Sequence, residues 1–111
     1  MGVHWALKAA DELGADIEIL DLRSLQPLDY EAISATVRKT NRALVLHEDT
    51  LTGGIGADIA AYVSEHLFEY LDAPVVRVAS LDTPVPFAKA LEEQFLPPHR
   101  LKSKIQYLMR Y

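Results

Sequence analysis

The chain has 111 residues, half of them apolar and 24% charged, which is enough for one compact domain with its own core. A formal charge of -5 argues against a nucleic-acid partner, and the lack of cysteine excludes a disulfide framework or a thiolate centre. No apolar run is long enough to cross a bilayer, and the opening MGVHWALKAADEL lacks the cationic and apolar order of a signal peptide.

In chain order, Val3, Ala6, Leu7, Ala10 and Leu13 keep the spacing of one helical face, and Gly14 supplies a stop. DIEILDL, residues 16–22, suits a strand carrying Ile17, Ile19 and Leu20. RSLQPLD follows as a loop, in which Pro27 breaks any ladder. Asp29 is a good N-cap for a second helix with Tyr30, Ile33 and Val37 inward and Lys39 near its negative end. RALVLHE, residues 42–48, contains the continuous apolar run Leu44, Val45 and Leu46 expected of a strand buried on both faces. After the loop DTLTGG, a third helix is expected from about Ile55 to Tyr70, with Ile59, Val63 and Leu67 inward. Pro74 introduces a third strand, VVRVA, and the proline-rich loop LDTPVPF follows it. A short helix from about Lys89 to Phe95 and a final helix with Leu101, Ile105 and Leu108 inward complete the chain.

Strict alternation of helices and strands with short connections predicts an α/β fold, a three-layer α/β/α sandwich around a mainly parallel sheet. Three strands make a thin sheet for this architecture, so a further strand upstream of Met1 is expected to belong to the domain.

Ligands of open parallel sheets gather at the carboxy ends of the strands, which singles out His47-Glu48-Asp49. A histidine beside carboxylates can do acid–base work, or the group can simply cap a loop and the next helix. Gly53, Gly54 and Gly56 precede the third helix, where free N–H groups can cradle an anion. The run lacks the Lys-Ser/Thr of a P-loop, and glycines in such places also serve close packing or positive φ. His47, Glu48, Gly53, Gly54 and Gly56 are therefore the candidate anion site. Asp82-Thr83-Pro84-Val85-Pro86-Phe87 is stiffened by two prolines and reads as a docking element or a cover for the sheet edge. His4, His47, His66 and His99 are scattered without metal-ligand spacing, so no metal site is expected. Trp5, Tyr62, Phe68 and Tyr70 divide between core and interface in a way that periodicity does not resolve.

ILDLRSLQPLD, VRKTNRALVLHEDTLTGGIGADIAA and LDAPVVRVASLDTPVPFAKALEEQFLPP together resemble the carboxy-terminal domain of 2-oxo-acid dehydrogenase beta subunits, part of the transketolase C-terminal superfamily. The likeness runs from about Val3 to Tyr111, and HEDTLTGG with LDTPVPF looks more like the branched-chain (2-oxoisovalerate) enzymes than like pyruvate dehydrogenase. The resemblance implies a single transketolase C-terminal-like domain over 1–111, separated from an upstream strand and an amino-terminal pyrimidine-binding domain. It implies a parent enzyme that decarboxylates 2-oxo acids with thiamine diphosphate and magnesium and passes the acyl group to lipoyl. No residue here matches a cofactor ligand of the family, so the resemblance carries no catalytic residue and predicts an inactive fragment.

The partners it implies are the alpha subunit, a second beta subunit and the peripheral-subunit-binding domain of the transacylase. They would work in a bacterial cytoplasm or a mitochondrial matrix, with no nucleic acid and no membrane. Asp82, Pro84, Pro86, Phe87 and the terminal Tyr111 are the expected docking contacts for a basic partner. Apolar surface left bare by an absent upstream region would also favour self-association.

Overall fold

The computed structural model describes residues 1–24, 26–84 and 86–111. Its elements are α1 (Gly2–Leu13), α2 (Tyr30–Thr40), β1 (Leu44–Thr50), α3 (Ile55–His66), β2 (Val76–Ser80), α4 (Lys89–Phe95) and α5 (Pro98–Met109), with a 3-10 turn at Phe68–Tyr70.

Local chemistry sets the ends of the helices. Gly14 adopts φ 60° and returns its N–H to the last carbonyls of α1, a conformation that costs a glycine little. Asp29 caps α2 by accepting the Ala32 N–H at 3.0 Å. At the other end of α2, Asn41 takes φ 64° and its side chain donates to the Tyr70 carbonyl at 2.8 Å.

β1 and β2 pair in parallel, with Leu44 opposite Val76 and Leu46 opposite Val78. One face of this ribbon packs Leu44, Leu46, Val76 and Val78 against α1 and α5, through Trp5, Ala9, Leu13, Leu101, Ile105 and Leu108. The opposite face packs Ala43, Val45 and Val75 against α2 and α3, through Ile33, Val37, Ile59 and Val63. The result is the expected three-layer α/β/α sandwich. Leu101 and Val63 are each 1% exposed, one in each half of the core. Burying side chains of this size contributes about 1.5–3 kcal/mol each.

Three expectations are corrected. Residues 16–22 form no strand, so the described sheet has two strands and not three. Extended backbone becomes a strand only beside another strand, and none of the described strands runs alongside this segment. Glu18 instead reaches α2, accepting from Thr36 Oγ1 at 2.8 Å and from Lys39. The inner face of α1 is rotated from the predicted one, since Trp5, Ala9 and Leu13 face the core while Leu7 is 53% exposed. The small Ala9 lets α5 approach closely beside the broad Trp5 ring. Finally, α3 ends at His66, and the segment to Tyr70 tightens into the 3-10 turn after the buried Leu67.

The register of the ribbon breaks between Leu46 and Thr50, where β1 advances further than β2 does between Val78 and Ser80. His47, Glu48 and Asp49 occupy this bulge. It is pinned by Ser80, whose hydroxyl donates to the Glu48 carbonyl, and by the Leu51 N–H, which donates to the Ser80 carbonyl at 3.1 Å. A bulge re-aims side chains at a strand end, and here it directs His47 at the start of α3.

Candidate functional site

His47 lies against the first turn of α3. Its Nδ1 donates to the Asp49 carbonyl at 3.1 Å, since a carbonyl oxygen can only accept. Its Nε2 is buried and has no hydrogen-bond partner among the described residues. In the neutral ring this atom is an acceptor, and it faces the N-terminal end of a helix, which carries partial positive charge.

The glycines make room for the ring. A Cβ on Gly56 would sit 2.5 Å from His47 Nε2 and 2.7 Å from its Cδ2. A Cβ on Gly54 would meet His47 Cε1 and the Thr50 carbonyl oxygen, each at 2.5 Å. Gly53 has φ 77°, the left-handed conformation that favours glycine. His47, Gly53, Gly54 and Gly56 are thus brought together as the sequence suggests, with the imidazole itself seated on the glycine turn. Glu48 joins them only through its main chain, and its side chain is exposed.

The ring occupies the space beside Gly54 and Gly56, so an anion seated on this turn would have to displace it. No group of three or more histidine, aspartate or glutamate side chains among the described residues gathers as a metal would require. His4, His66 and His99 are all exposed.

The expected docking residues lie in two places. Asp82 follows β2, where its carboxylate accepts the Thr52 N–H at 2.8 Å and the Thr52 hydroxyl at 2.6 Å. The Thr52 hydroxyl and N–H hold the Asp82 carboxyl below the usual carboxylate range, with smaller help from the Leu51 N–H and the Arg77 charge. Pro84 is exposed, Pro86 is half-buried and Phe87 is fully exposed. Val85, in the same loop, lies outside the described residues.

Tyr111 sits at the other end of the ribbon, beside Asp72–Val75 and the start of β1. Arg42 donates to its main-chain oxygen, and its hydroxyl lies 3.0 Å from that of Tyr107. Asp82 and Tyr111 therefore belong to separate surfaces, and each already has a partner within the chain.

Sequence reasoning passed over Arg77 and Arg100. Arg77 donates to the Leu51 carbonyl at 3.2 Å, while Arg100 donates to Ala79 at 2.6 Å, Gln94 at 2.8 Å and Phe95 at 3.0 Å. The signal for the first was present, since an arginine inside the apolar run VVRVA has to reach an edge.

A family model described as the transketolase C-terminal domain matches residues 1–100. The chain belongs to the transketolase C-terminal domain family. A solved structure described as split gene transketolase, inactive beta4 tetramer, superposes with a TM-score of 0.77 at 29% identity, covering 96% of this chain and 35% of that one. The 2-oxoisovalerate dehydrogenase subunit beta of Pseudomonas aeruginosa is 53% identical over 87 residues, 78% of this chain and 25% of that protein. The pyruvate dehydrogenase E1 component subunit beta of Porphyra purpurea is 45% identical over 97 residues, 86% of this chain and 29% of that protein. The acetoin:2,6-dichlorophenolindophenol oxidoreductase subunit beta of Bacillus subtilis is 46% identical over 98 residues, again 86% of this chain and 29% of that protein. This transketolase C-terminal domain spans between a quarter and a third of these beta subunits. No helix among the described residues is long and apolar enough to cross a membrane.

Proposed function

We propose that the chain is the assembly and partner-docking domain of a 2-oxo-acid dehydrogenase beta subunit. The branched-chain enzyme, 2-oxoisovalerate dehydrogenase, is the preferred parent and pyruvate dehydrogenase the alternative. The observation that carries the reading is the 53% identity to a 2-oxoisovalerate dehydrogenase beta subunit over most of this chain. In this reading the parent decarboxylates its substrate with thiamine diphosphate and magnesium and transfers the acyl group to lipoyl, on residues outside this domain. The glycine turn filled by His47 supports that division of labour. So does Phe87, a bare aromatic on a proline-flanked loop, which is the type of side chain that anchors interfaces.

Residues 1–111 act in this proposal as one structural unit, to which a further strand and an amino-terminal domain add. Segment 16–22 supports it, because it pairs with no strand among the described residues and leaves main-chain groups for a further ladder. The partners proposed are the alpha subunit, a second beta subunit and the peripheral-subunit-binding domain of the transacylase. They would meet the loop from Asp82 to Phe87 and the surface around Tyr111.

Mixing the chain with a purified branched-chain decarboxylase alpha subunit, and separately with the transacylase domain, tests this by analytical ultracentrifugation. A complex with at least one is expected, weakened by Phe87→Ala. Association with neither overturns the reading, as does a rise in melting temperature on adding thiamine diphosphate and magnesium, because a ligand of the native state must stabilise it.

A further inference from the structure

The outer edge of β2 is open. Val76 donates its N–H to Ala43 and Ser80 accepts from Leu51, so these residues turn their main-chain groups toward β1 and its flanks. By the alternation of a strand, Val75, Arg77 and Ala79 turn theirs the other way. No described strand lies on that side. The carboxy end of the edge is closed, since Arg100 takes the Ala79 carbonyl at 2.6 Å and the Leu81 N–H donates to Phe95 at 3.0 Å. The stretch around Arg77 is not.

Two grooves flank this stretch and share Arg77. One, about 290 Å³, lies toward α5 and is lined by Arg77, Arg100 and Lys104, with Asp82 as its carboxylate. The other, about 710 Å³, lies toward α3 and is lined by small residues such as Ala57, Ala60 and Ala61, with Phe68 at its margin. Three cations therefore gather along one strand edge of a chain whose net charge is -5. Two carboxylates line the grooves: Asp82, already engaged by Thr52, and Asp72 on the side toward α3.

We propose that this edge is a docking groove for an extended acidic peptide segment of another polypeptide, paired with β2 through main-chain hydrogen bonds and held by Arg77 and Lys104. Strand addition supplies affinity through the backbone, and side chains on the two faces of the added strand supply specificity. Carboxylates on the α3 face would meet Arg77, and those on the α5 face Lys104, as charge-assisted contacts. A second copy of the chain fits poorly. Two β2 edges meeting about a two-fold axis would centre on Arg77 and oppose two guanidinium groups, and like charges directly opposite are destabilising. The surface invites a strand of opposite charge and rejects its own kind, a common defence of natural sheet edges.

The test uses the full chain and two labelled probes, seven-residue blocked peptides of alternating valine with glutamate or with lysine, followed by fluorescence anisotropy at low ionic strength. The glutamate peptide is expected to bind and to weaken as salt is raised, while the lysine peptide does not bind. N-methylation of its backbone abolishes binding. Arg77→Gln lowers affinity about tenfold, the scale of one lost charge-assisted contact. Lys104→Gln, on an exposed helix position and without risk to the fold, lowers it severalfold. Amide shifts on titration concentrate at Arg77 and Ala79. Equal binding of both probes, binding that survives N-methylation, undiminished binding by Lys104→Gln, or displacement of the probe by self-association of the chain overturns the proposal.

Discussion

Gly56→Ala tests whether the glycine turn exists to seat His47. The new Cβ would lie 2.5 Å from His47 Nε2 and 2.7 Å from Cδ2, well inside contact, while Val45 Cγ1 at 3.4 Å is tolerable. Overpacking of this kind costs roughly 1–3 kcal/mol. Against it, alanine gains about 1 kcal/mol over glycine within a helix. The single variant should therefore lose up to about 2 kcal/mol, a fall in melting temperature of up to about 10 °C for a chain near this length. In a His47→Ala background the obstacle is gone and only the helix gain remains, so the same substitution should stabilise by up to about 1 kcal/mol. The change of sign is a coupling of about 1–3 kcal/mol in a double-mutant cycle, read by urea unfolding followed by circular dichroism. Gly54→Ala is the control. Its Cβ meets the fixed Thr50 carbonyl oxygen at 2.5 Å as well as the ring, so removing His47 should not rescue it. A Gly56→Ala substitution whose effect is the same with and without His47 would refute the packing argument.

Leu101→Ala and Val63→Ala probe the two halves of the core, where both residues are 1% exposed; the first should cost about 2–5 kcal/mol and the second somewhat less by urea unfolding. Glu12, Glu18 and Asp82 are held below the usual carboxylate range by hydrogen bonds from Lys102, Lys39 and Thr52 respectively. A depressed folded value stabilises above the unfolded value of about 4 and is lost as pH falls through the folded one, so urea midpoints should decline below about pH 4. The decline should be shallower when the three are replaced by glutamine and asparagine; an unchanged slope would count against these contacts. Phe87→Ala, at a fully exposed position, should leave the melting temperature within about 2 °C while weakening any partner that uses the loop.

Most helices were legible because their signals are local. Asp29 as a cap, Gly14 as a stop and the spacing of Ile33 with Val37 act within a turn or two of chain, and all hold in the structure. Strand 16–22 was not legible in the same way. Its apolar pattern is adequate, but a strand is defined by a neighbour, and a single sequence does not show which backbone will lie alongside. The rotated face of α1 has a related cause. Leu13 was expected inward and is, but Val3, Ala6, Leu7 and Ala10 satisfy helical spacing as well as Trp5 and Ala9 do, and the choice depends on how closely α5 can approach.

The candidate site divides along the same line. That His47 stands near the glycine turn was readable, because a strand followed by a glycine-rich start of a helix brings the two together. That the ring fills the turn depends on the bulge between Leu46 and Thr50, which is set by the unequal advance of β1 and β2 and by Ser80 on the other strand. Asp82 illustrates the reverse case. As an exposed acid in a proline loop it looked available to a partner, yet Thr52, thirty positions away in sequence, takes both of its oxygens. Exposure alone is thus a poor guide to which charges are free, since a carboxylate can be wetted and still committed. Phe87 is fully exposed, and Lys104 lies over the Tyr107 ring with no carboxylate partner among the described residues, so the proposed docking would engage both with little rearrangement.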